Sequence, residues 1–349
     1  MVSGSIPAAT ATLTLIDPEL SSHPTAVIFV AAGWFLLVSA LVVRGIKPSS
    51  YAQVVMTTIE VCVLVIIVIA AIIRYGGQPV HTFSLRWFSA MEFTPTLFAS
   101  GALAALFFFW GWDVTLNLNE ETRDPTYAAG RGAIIAMIIV LLSFMSFAVT
   151  TLLVLSDREI EQSSTNIVFA LAQKLFPQPW SYMAVIAVML SSIGTLETTI
   201  LQFTRTMYAQ GRDGTLNRRY AILHRSWRTP WVATGAIVFF GLVPLFSSLY
   251  FPTINLTIKD SINAIGFQIA FYYSLTGFAC AWHFRKTAFV AAGPFLLLFL
   301  WPVASASFLV FIAIYSIPTF DFVTVLIGIG GLAVGAVPMM LNRFSGSHT

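Results

Sequence analysis

Charge is scarce in this chain. Asp, Glu, Lys and Arg together make up 9% of the 349 residues, whereas 57% are hydrophobic. Soluble domains carry roughly 25% charged residues, because charged side chains cover a surface that faces water. A chain so poor in charge cannot cover such a surface, and this excludes a soluble globular domain. The formal net charge of +3 is small, so the placement of the charges is more informative than their total.

Cysteine and the common catalytic motifs are also scarce. Cys62 and Cys280 are the two cysteines, and both lie in apolar segments, where they act as small hydrophobic residues and not as a disulfide framework. The sequence contains no HExxH, GxSxG or P-loop motif, and no loop is long enough for a nucleotide-binding domain. We therefore expect no enzyme, no catalytic residue, no metal site, no cofactor and no nucleic-acid partner.

Long apolar segments dominate what is present. The hydrocarbon core of a bilayer is roughly 30 Å thick and takes about 20 helical residues to span. Every backbone N–H and C=O inside it must be satisfied within the segment, so each segment should be a helix. The sequence predicts an all-α integral membrane protein with nine transmembrane helices. The predicted spans are Ala26–Val43, Tyr51–Ile73, Leu97–Leu118, Gly130–Leu155, Ser181–Met207, Trp231–Leu249, Asn263–His283, Ala288–Tyr315 and Phe322–Leu341.

Lysine and arginine are distributed unevenly between alternate loops. Thirteen of the eighteen lie on one side of the predicted bundle, and six of these are arginines from Arg205 to Arg228. Because such residues are enriched in cytoplasmic loops, this side is predicted to be cytoplasmic. The lipid partner that we expect for the Arg205–Arg228 loop is anionic. The chain is thus predicted to be a multi-pass protein of the plasma membrane.

Nine spans with a cytoplasmic C-terminus place the N-terminus outside. We divide the chain into an external segment (residues 1–24), one transmembrane domain (25–343) and a cytoplasmic tail (344–349). The first segment contains no Lys or Arg, which fits an external location, but it lacks the features of an export signal. The charge pattern therefore predicts that further spans precede Met1. Between Asp157 and Pro179, apolar residues near helical spacing predict a short amphipathic helix on the outer face.

The third predicted span contains Gly111 and Asp113 near its middle. Glycine weakens a helix interior by about 1 kcal/mol relative to alanine, and a carboxylate at this depth normally faces a cavity or a partner. Together they predict a discontinuous helix whose freed backbone groups line a binding site. The alternative is a packing glycine beside an aspartate that bonds to a neighbouring helix.

Two motifs resemble those of the amino acid–polyamine–organocation permeases. That family has an aromatic-rich FxGxD-like segment in its sixth helix, then an EExxxP-like turn and a basic residue. The matching residues here are Phe109, Gly111, Asp113, Glu120, Glu121, Pro125 and Arg131. The family's loop after its eighth helix matches Arg205, Tyr208, Ala209, Asp213, Gly214 and Leu216, with Asn217 where proline is usual.

The resemblance implies a fold and a function. The nine spans would correspond to helices four to twelve of the inverted-repeat, leucine-transporter-type fold. The activity would be secondary active transport of amino acids or related amines and polyamines by alternating access, coupled to H⁺ or Na⁺. The family's first helix carries a GSGIF-like motif that is absent here, so we expect a truncated copy. The alternative is a non-transporting membrane subunit or an inactive remnant of such a permease.

The candidate site residues follow from these patterns. The predicted surroundings of the substrate are Phe109, Trp110, Gly111, Trp112 and Asp113. The candidates for ion coupling or gating are Glu60, Glu197, Glu120, Glu121 and Arg131. Glu60 and Glu197 could instead be structural partners of neighbouring helices. Glu120 or Glu121 could contact the arginine-rich loop on the same side.

A GxxxG pattern occurs in the last span. Gly331 and Gly335 form it, and such a pattern indicates either a homodimer face or close packing within the bundle.

Overall fold

The structure is a computed structural model that describes residues 1–89, 91, 93–163, 166–250 and 254–345. These residues form fourteen α-helices linked by turns, short 3-10 segments and one π-helical segment, Leu296–Leu300. The helices are α1 (Val2–Ile16), α2 (Pro24–Arg44), α3 (Ile46–Tyr75), α4 (Pro95–Phe108), α5 (Val114–Asn117), α6 (Ala128–Val154), α7 (Asp157–Ser163), α8 (Ile167–Leu175), α9 (Tyr182–Arg212), α10 (Trp231–Ser247), α11 (Ile254–Ala288), α12 (Ala292–Phe295), α13 (Trp301–Ser316) and α14 (Phe322–Ser345).

Seven helical stretches in the described residues are long and apolar enough to cross a membrane, and each matches a predicted span. They are α2, α3, α6, α9, α10 with the turn after it, α11 from Asp260, and the stretch Ala292–Thr319. The third predicted span is interrupted after α4, and the apolar part of α14 is shorter. The prediction of nine full-length spans is therefore confirmed for seven. Residues 346–349 of the predicted tail lie outside the described part of the chain.

Helix α1 lies in a segment to which the sequence analysis assigned no helix. Its side chains Ile6, Ala8 and Ala9 are buried, and it packs against α2 and α9. The Trp34 indole of α2 donates a hydrogen bond to Thr12 Oγ1 at 2.9 Å. The segment was missed because it is short and contains Pro7, so its length and composition fall below those of a full span. The side of the membrane on which it lies stays a prediction.

The chain divides into two compact units, which are described separately. The first comprises Met1–Ser84 and Gly111–Ile258, and the second comprises Leu85–Trp110 and Lys259–Thr349. In the first unit α9 is central, since α1, α2, α3, α8 and α10 all pack on it. One cluster joins Phe35 and Val38 of α2 to Leu196 and Ile200 of α9.

In the second unit α4, α11 and α13 surround a core of Leu103, Phe267, Ala270 and Ile312. A glycine allows α11 to approach α4 closely. A Cβ at Gly266 would lie 2.7 Å from the Leu103 carbonyl oxygen, so any larger residue would push the two helices apart. Thr94 caps α4, because its Oγ1 accepts a hydrogen bond from Leu97 N at 3.2 Å.

The outer surface of the spans is apolar. On α6, the large side chains Ile134, Ile135, Ile138 and Leu142 are each more than half exposed. A soluble protein rarely exposes so continuous an apolar face, but a bilayer solvates it, because the helix satisfies its own backbone groups. The exposure pattern therefore fits the membrane class predicted from composition.

Two short helices, α7 and α8, occupy the segment where one amphipathic helix was predicted. Leu171, Ala172 and Leu175 form the buried face of α8 and join a core cluster with residues of α3 and α9. Glu159 of α7 bonds to Lys174 of α8, with Nζ 2.7 Å from Oε1. Helix character and apolar spacing are thus confirmed, with the helix divided into two.

The Glu159–Lys174 contact predicts a pH dependence. Hydrogen bonds from Lys174 and from the backbone and side chain of Ser156 lower the pKa of Glu159 from 4.5 to about 2. A depressed carboxyl pKa means that the contact contributes its full stability above pH 4.5 and loses it as the pH falls through about 2. We expect Lys174→Met to move the pKa of Glu159 back towards 4.5. An NMR titration of the glutamate side chains, with exposed Glu161 as the reference, would test this. An unchanged Glu159 titration would contradict the assignment.

Candidate functional site

The third apolar segment is broken where the sequence predicted. Helix α4 ends at Phe108, and Phe109 N and Trp110 N still donate to Ala105 O and Phe107 O at 2.9 and 3.2 Å. Helical bonding starts again when Asn117 N donates to Asp113 O at 3.1 Å. The residues between the two helices follow a turn. The discontinuous helix is therefore an observed feature of this segment.

Gly111 makes the break possible. Its φ angle is +124°, a conformation that glycine adopts readily and that strains residues with a Cβ. No atom of the described residues lies within 4 Å of the position that a Cβ would take. The requirement for glycine thus comes from the backbone conformation and not from crowding.

Trp110 belongs to the second unit and is tied to α11 there. Its indole Nε1 donates a hydrogen bond to the Tyr272 hydroxyl at 3.1 Å. Phe107 and Phe108, just before the break, form an edge-to-face pair with ring centroids 5.4 Å apart. The end of α4 therefore presents anchored aromatic side chains in this unit.

Asp113 belongs to the first unit and is tied to α9 there. Its Oδ2 accepts a hydrogen bond from Gln202 Nε2 at 2.8 Å, and Gln202 is buried. The neighbouring Thr115 hydroxyl donates to Trp112 O at 2.8 Å. The helix is therefore broken, as one interpretation of the sequence predicted, and the aspartate bonds to a neighbouring helix, as the other predicted. A role of these residues in a binding site stays a prediction.

Two ion pairs join the segment after the break to α9. Arg205 Nε lies 2.7 Å from Glu121 Oε1, and these side chains are 10% and 32% exposed. Arg212 Nη2 lies 2.9 Å from Glu120 Oε1, with side chains 48% and 69% exposed. The first pair is therefore shielded and the second faces solvent. Contacts of Glu120 and Glu121 with the arginine-rich loop were one of the alternatives from the sequence.

The exposed pair shifts the ionisation of Glu120. A hydrogen bond from Arg212 and the positive charge of Arg212 lower the pKa of Glu120. The Glu120 carboxylate therefore stays charged across the physiological range. Exposed pairs of this kind contribute little stability, since solvent screens them.

Arg131 does not join these pairs. Its guanidinium lies 5.9 Å from the centre of the Tyr127 ring, and in the residues that the structure covers no carboxylate forms a salt bridge with it. Its gating role stays a prediction, as does the substrate-binding role of Phe109 to Asp113.

Glu60 and Glu197 both face the α3–α9 interface. The Glu60 carboxyl group lies beside the Ser191 hydroxyl, and the Glu197 carboxyl group lies beside the Ser49 hydroxyl. Glu197 is 2% exposed. The structure thus brings both carboxyl groups to one pair of helices.

The GxxxG pattern contributes to packing inside the second unit. A Cβ at Gly331 would lie 2.6 Å from Gln268 Nε2, and that amide donates to Ile327 O of α14 at 3.0 Å. A Cβ at Gly335 would meet no atom within 4 Å among the residues that the structure covers. Gly331 therefore has a packing role within the chain, and a homodimer stays a prediction.

Sequence reasoning missed Gln202 and Tyr272, the partners of Asp113 and Trp110. The sequence could have indicated Gln202 as a candidate, since few strongly polar residues occur in the span that contains it. Nothing in the sequence distinguishes Tyr272, because tyrosine is common in apolar helices. Within the described ranges, no group of three or more His, Cys, Asp or Glu side chains could hold a metal ion.

Comparison with known proteins shows similarity to amino acid transporters. The model of the family described as "Amino acid permease" matches residues 1–339. The mouse b(0,+)-type amino acid transporter 1 is 24% identical over 260 residues, which are 72% of this chain and 50% of that protein. The serine/threonine exchanger SteT of Bacillus subtilis strain 168 is 24% identical over 264 residues, or 75% of this chain and 56% of that protein.

A third relative is the mouse cationic amino acid transporter 4, which is 24% identical over 263 residues, or 74% of this chain and 39% of that protein. The chain spans about half the length of the curated relatives it matches, namely 50% and 56% of the first two.

Proposed function

Because the chain belongs to the amino acid permease family of amino acid–polyamine–organocation transporters, we propose that it moves amino acids or related amines across a membrane by alternating access. It is a multi-pass membrane protein of a transport family, as its apolar helices and its relatives agree. The three relatives are named as a b(0,+)-type amino acid transporter, a serine/threonine exchanger and a cationic amino acid transporter. The proposed substrate class is therefore the α-amino acid, with amines as the second choice.

The helix break at Gly111 is the observation that carries the proposal. A broken membrane helix leaves backbone groups without helical partners, and such groups at mid-membrane bind substrates in secondary transporters. An ordinary structural span gains nothing from a glycine at a φ of +124°, since this conformation weakens the helix. Trp110 and Trp112 flank that glycine in the sequence, and the resemblance to the family assigns both to the surroundings of the substrate.

The two ion pairs support a gating role for the segment after the break. Glu120 and Glu121 follow α5, and both bond to α9 through arginines. A movement of the broken helix would therefore stretch or break these pairs. We assign them to a latch that holds one conformation of the transport cycle, with the shielded Arg205–Glu121 pair as its stronger part.

We assign the other four arginines between Arg205 and Arg228 to contact with lipid headgroups. Arg218, Arg219, Arg225 and Arg228 form no salt bridge within the part of the chain that is described. Exposed apolar residues lie between them, including Trp227 at 46% exposure. This mixture of cationic and apolar side chains suits the headgroup region of an anionic leaflet.

A competition experiment tests the substrate class. Uptake of labelled amino acids by proteoliposomes that contain the protein is measured with unlabelled neutral amino acids, cationic amino acids and polyamines as competitors. We expect at least one α-amino acid to compete, because the family binds that class. Competition by polyamines alone would replace the proposed substrate, and saturable uptake of none of them would overturn the proposal.

A topology measurement tests the proposed orientation. The loop charges place residue 218 in the cytoplasm. We expect Arg218→Cys, in a background without Cys62 and Cys280, to resist an impermeant thiol reagent in intact cells and to react once the membrane is opened. A cysteine at exposed Glu161 of α7 is the matched control and should react from outside. Labelling of residue 218 in intact cells would reverse the orientation.

A further inference from the structure

Two basic residues lie together in the last turn of α11. They are Arg285 and Lys286, and the sequence contains no acid between Asp260 and Asp321. At about 1.5 Å per helical residue, Asp260 lies about 38 Å away along α11, which is close to the roughly 40 Å of a bilayer with its headgroups. In the described residues no carboxylate forms a salt bridge with Arg285 or Lys286. Their charge is therefore available to a partner outside the chain.

Asp321 lies at the opposite end of the second unit from these basic residues. A Cβ at Gly328 of α14 would lie 3.5 Å from Ala264 Cα of α11. Further along both helices, a Cβ at Gly331 would lie 2.6 Å from Gln268 Nε2. Residue numbers thus rise together, so α11 and α14 run parallel. Because Asp321 precedes the first residue of α14, it lies near the start of α11 and far from the last turn.

Trp282 holds the Arg285 side chain in place. The guanidinium carbon lies 4.0 Å from the centre of the Trp282 ring, and Nη1 donates a hydrogen bond to Trp282 O at 2.6 Å. Trp282 is 69% exposed, and tryptophan is enriched at the membrane interface. A guanidinium has several N–H donors, so these contacts fix its position and leave donors for an anion.

An aromatic cluster follows the two basic residues in the chain. Phe289, Phe295 and Phe299 contact one another, with ring centroids 5.1–5.8 Å apart. Phe289 is 65% exposed and the neighbouring Val290 is 79% exposed. Exposed apolar side chains next to two cations are suited neither to water nor to an acidic soluble partner. A molecule with an anionic head and apolar chains matches both properties.

We propose that the segment from Trp282 to Phe299 binds one anionic phospholipid. The lipid phosphate accepts hydrogen bonds from Arg285 and Lys286, and an acyl chain packs against the phenylalanine cluster. Because Trp282 already positions Arg285, the lipid orders little of the site when it binds. These residues belong to the second unit, whereas the arginine-rich loop belongs to the first. The inference does not depend on the proposed transport function.

Lipid counting by native mass spectrometry tests the site. The purified protein in detergent is titrated with phosphatidylglycerol and, separately, with phosphatidylcholine of the same acyl chains. We expect the double variant Arg285→Gln with Lys286→Gln to retain one phosphatidylglycerol fewer than the wild type, and the same amount of phosphatidylcholine. A basic residue near an anionic headgroup contributes about fivefold to affinity, so the affinity of this site should fall about 25-fold. Unchanged phosphatidylglycerol binding by the double variant would refute the proposal.

The matched control is the double variant Arg44→Gln with Lys47→Gln. It removes the same two charges from the turn between α2 and α3, where both residues are exposed. No ring in the described part of the chain stacks on either of them. This control should retain as much phosphatidylglycerol as the wild type. An equal loss from the two double variants would show that only net charge matters, and the site would then be refuted.

Fluorescence quenching tests the position of the lipid. Brominated acyl chains quench nearby tryptophans, and the difference between each protein and the same protein with Trp282→Phe isolates the contribution of Trp282. We expect brominated phosphatidylglycerol to quench Trp282 more strongly than brominated phosphatidylcholine, and Arg285→Gln to remove this preference. An excess of inorganic phosphate should not reverse the quenching. Equal quenching by the two lipids, or reversal by phosphate, would overturn the assignment to an anionic phospholipid.

Discussion

Gly111→Leu should abolish transport and leave the protein inserted in the membrane. The φ of Gly111 is +124°, where a residue with a Cβ is strained by about 1–3 kcal/mol. Leucine would relieve that strain by rebuilding a regular helix, and the backbone groups of the break would then bond within the helix. Its side chain would also add bulk at the position in the chain that we propose for substrate binding. Uptake into proteoliposomes, normalised to inserted protein, measures the effect.

Gly111→Ala separates the backbone effect from the steric one. No atom in the described part of the chain lies within 4 Å of the Cβ position at Gly111, so we attribute any loss of uptake in this variant to the backbone conformation. The matched control is Gly101→Ala in α4, where the space is equally open and the backbone is helical. The control should keep its activity and gain slight stability. Gly330→Ala in α14 should also be tolerated. Wild-type uptake by Gly111→Leu would refute the role of the break.

Glu121→Gln should destabilise the protein more than any other single change in the loop contacts. The substitution leaves Arg205, which is 10% exposed, without its carboxylate. Removing one partner of a fully buried pair costs about 3–5 kcal/mol, and partial exposure of Glu121 reduces this to about 1–3 kcal/mol. The unfolding midpoint and the uptake rate of the purified variant should both fall, because the latch no longer holds the segment after the break.

The second ion pair supplies the control for this prediction. Glu120→Gln breaks a pair whose side chains are 48% and 69% exposed, so its effect on the midpoint should be small. Exchanging the charges, with Arg205→Glu and Glu121→Arg together, should restore part of the loss. Equal effects of Glu120→Gln and Glu121→Gln would show that shielding plays no part, and the latch assignment would then fail.

The positions of the long spans could be predicted because bilayer thickness sets their length. An uninterrupted apolar segment in a bilayer can satisfy its backbone hydrogen bonds within itself only as a helix. Four examples are α2, α3, α6 and α9. Helix α1 could not be predicted in this way, since it is too short to span and its stability comes from packing against α9. The division of the outer amphipathic segment into α7 and α8 likewise depends on tertiary contacts such as Glu159–Lys174.

The candidate site was predictable where the backbone determines it. A glycine between two tryptophans, followed by an aspartate, marks the break because glycine and carboxylate are both unfavourable in an apolar helix. The partners of these residues were not predictable. Gln202 bonds to Asp113 across a separation of 89 residues, and Tyr272 bonds to Trp110 across 162. Pattern along the chain carries no information on such distant contacts.

Solute counterflow tests the central claim most directly, because it requires substrate binding and alternating access but no driving gradient. Proteoliposomes that contain the protein are loaded with unlabelled amino acids and diluted into a trace of the same amino acids in labelled form. We predict a transient accumulation of label inside the vesicles for the wild type and Gly101→Ala, and none for Gly111→Leu. A wild-type trace identical to that of protein-free liposomes would contradict the account.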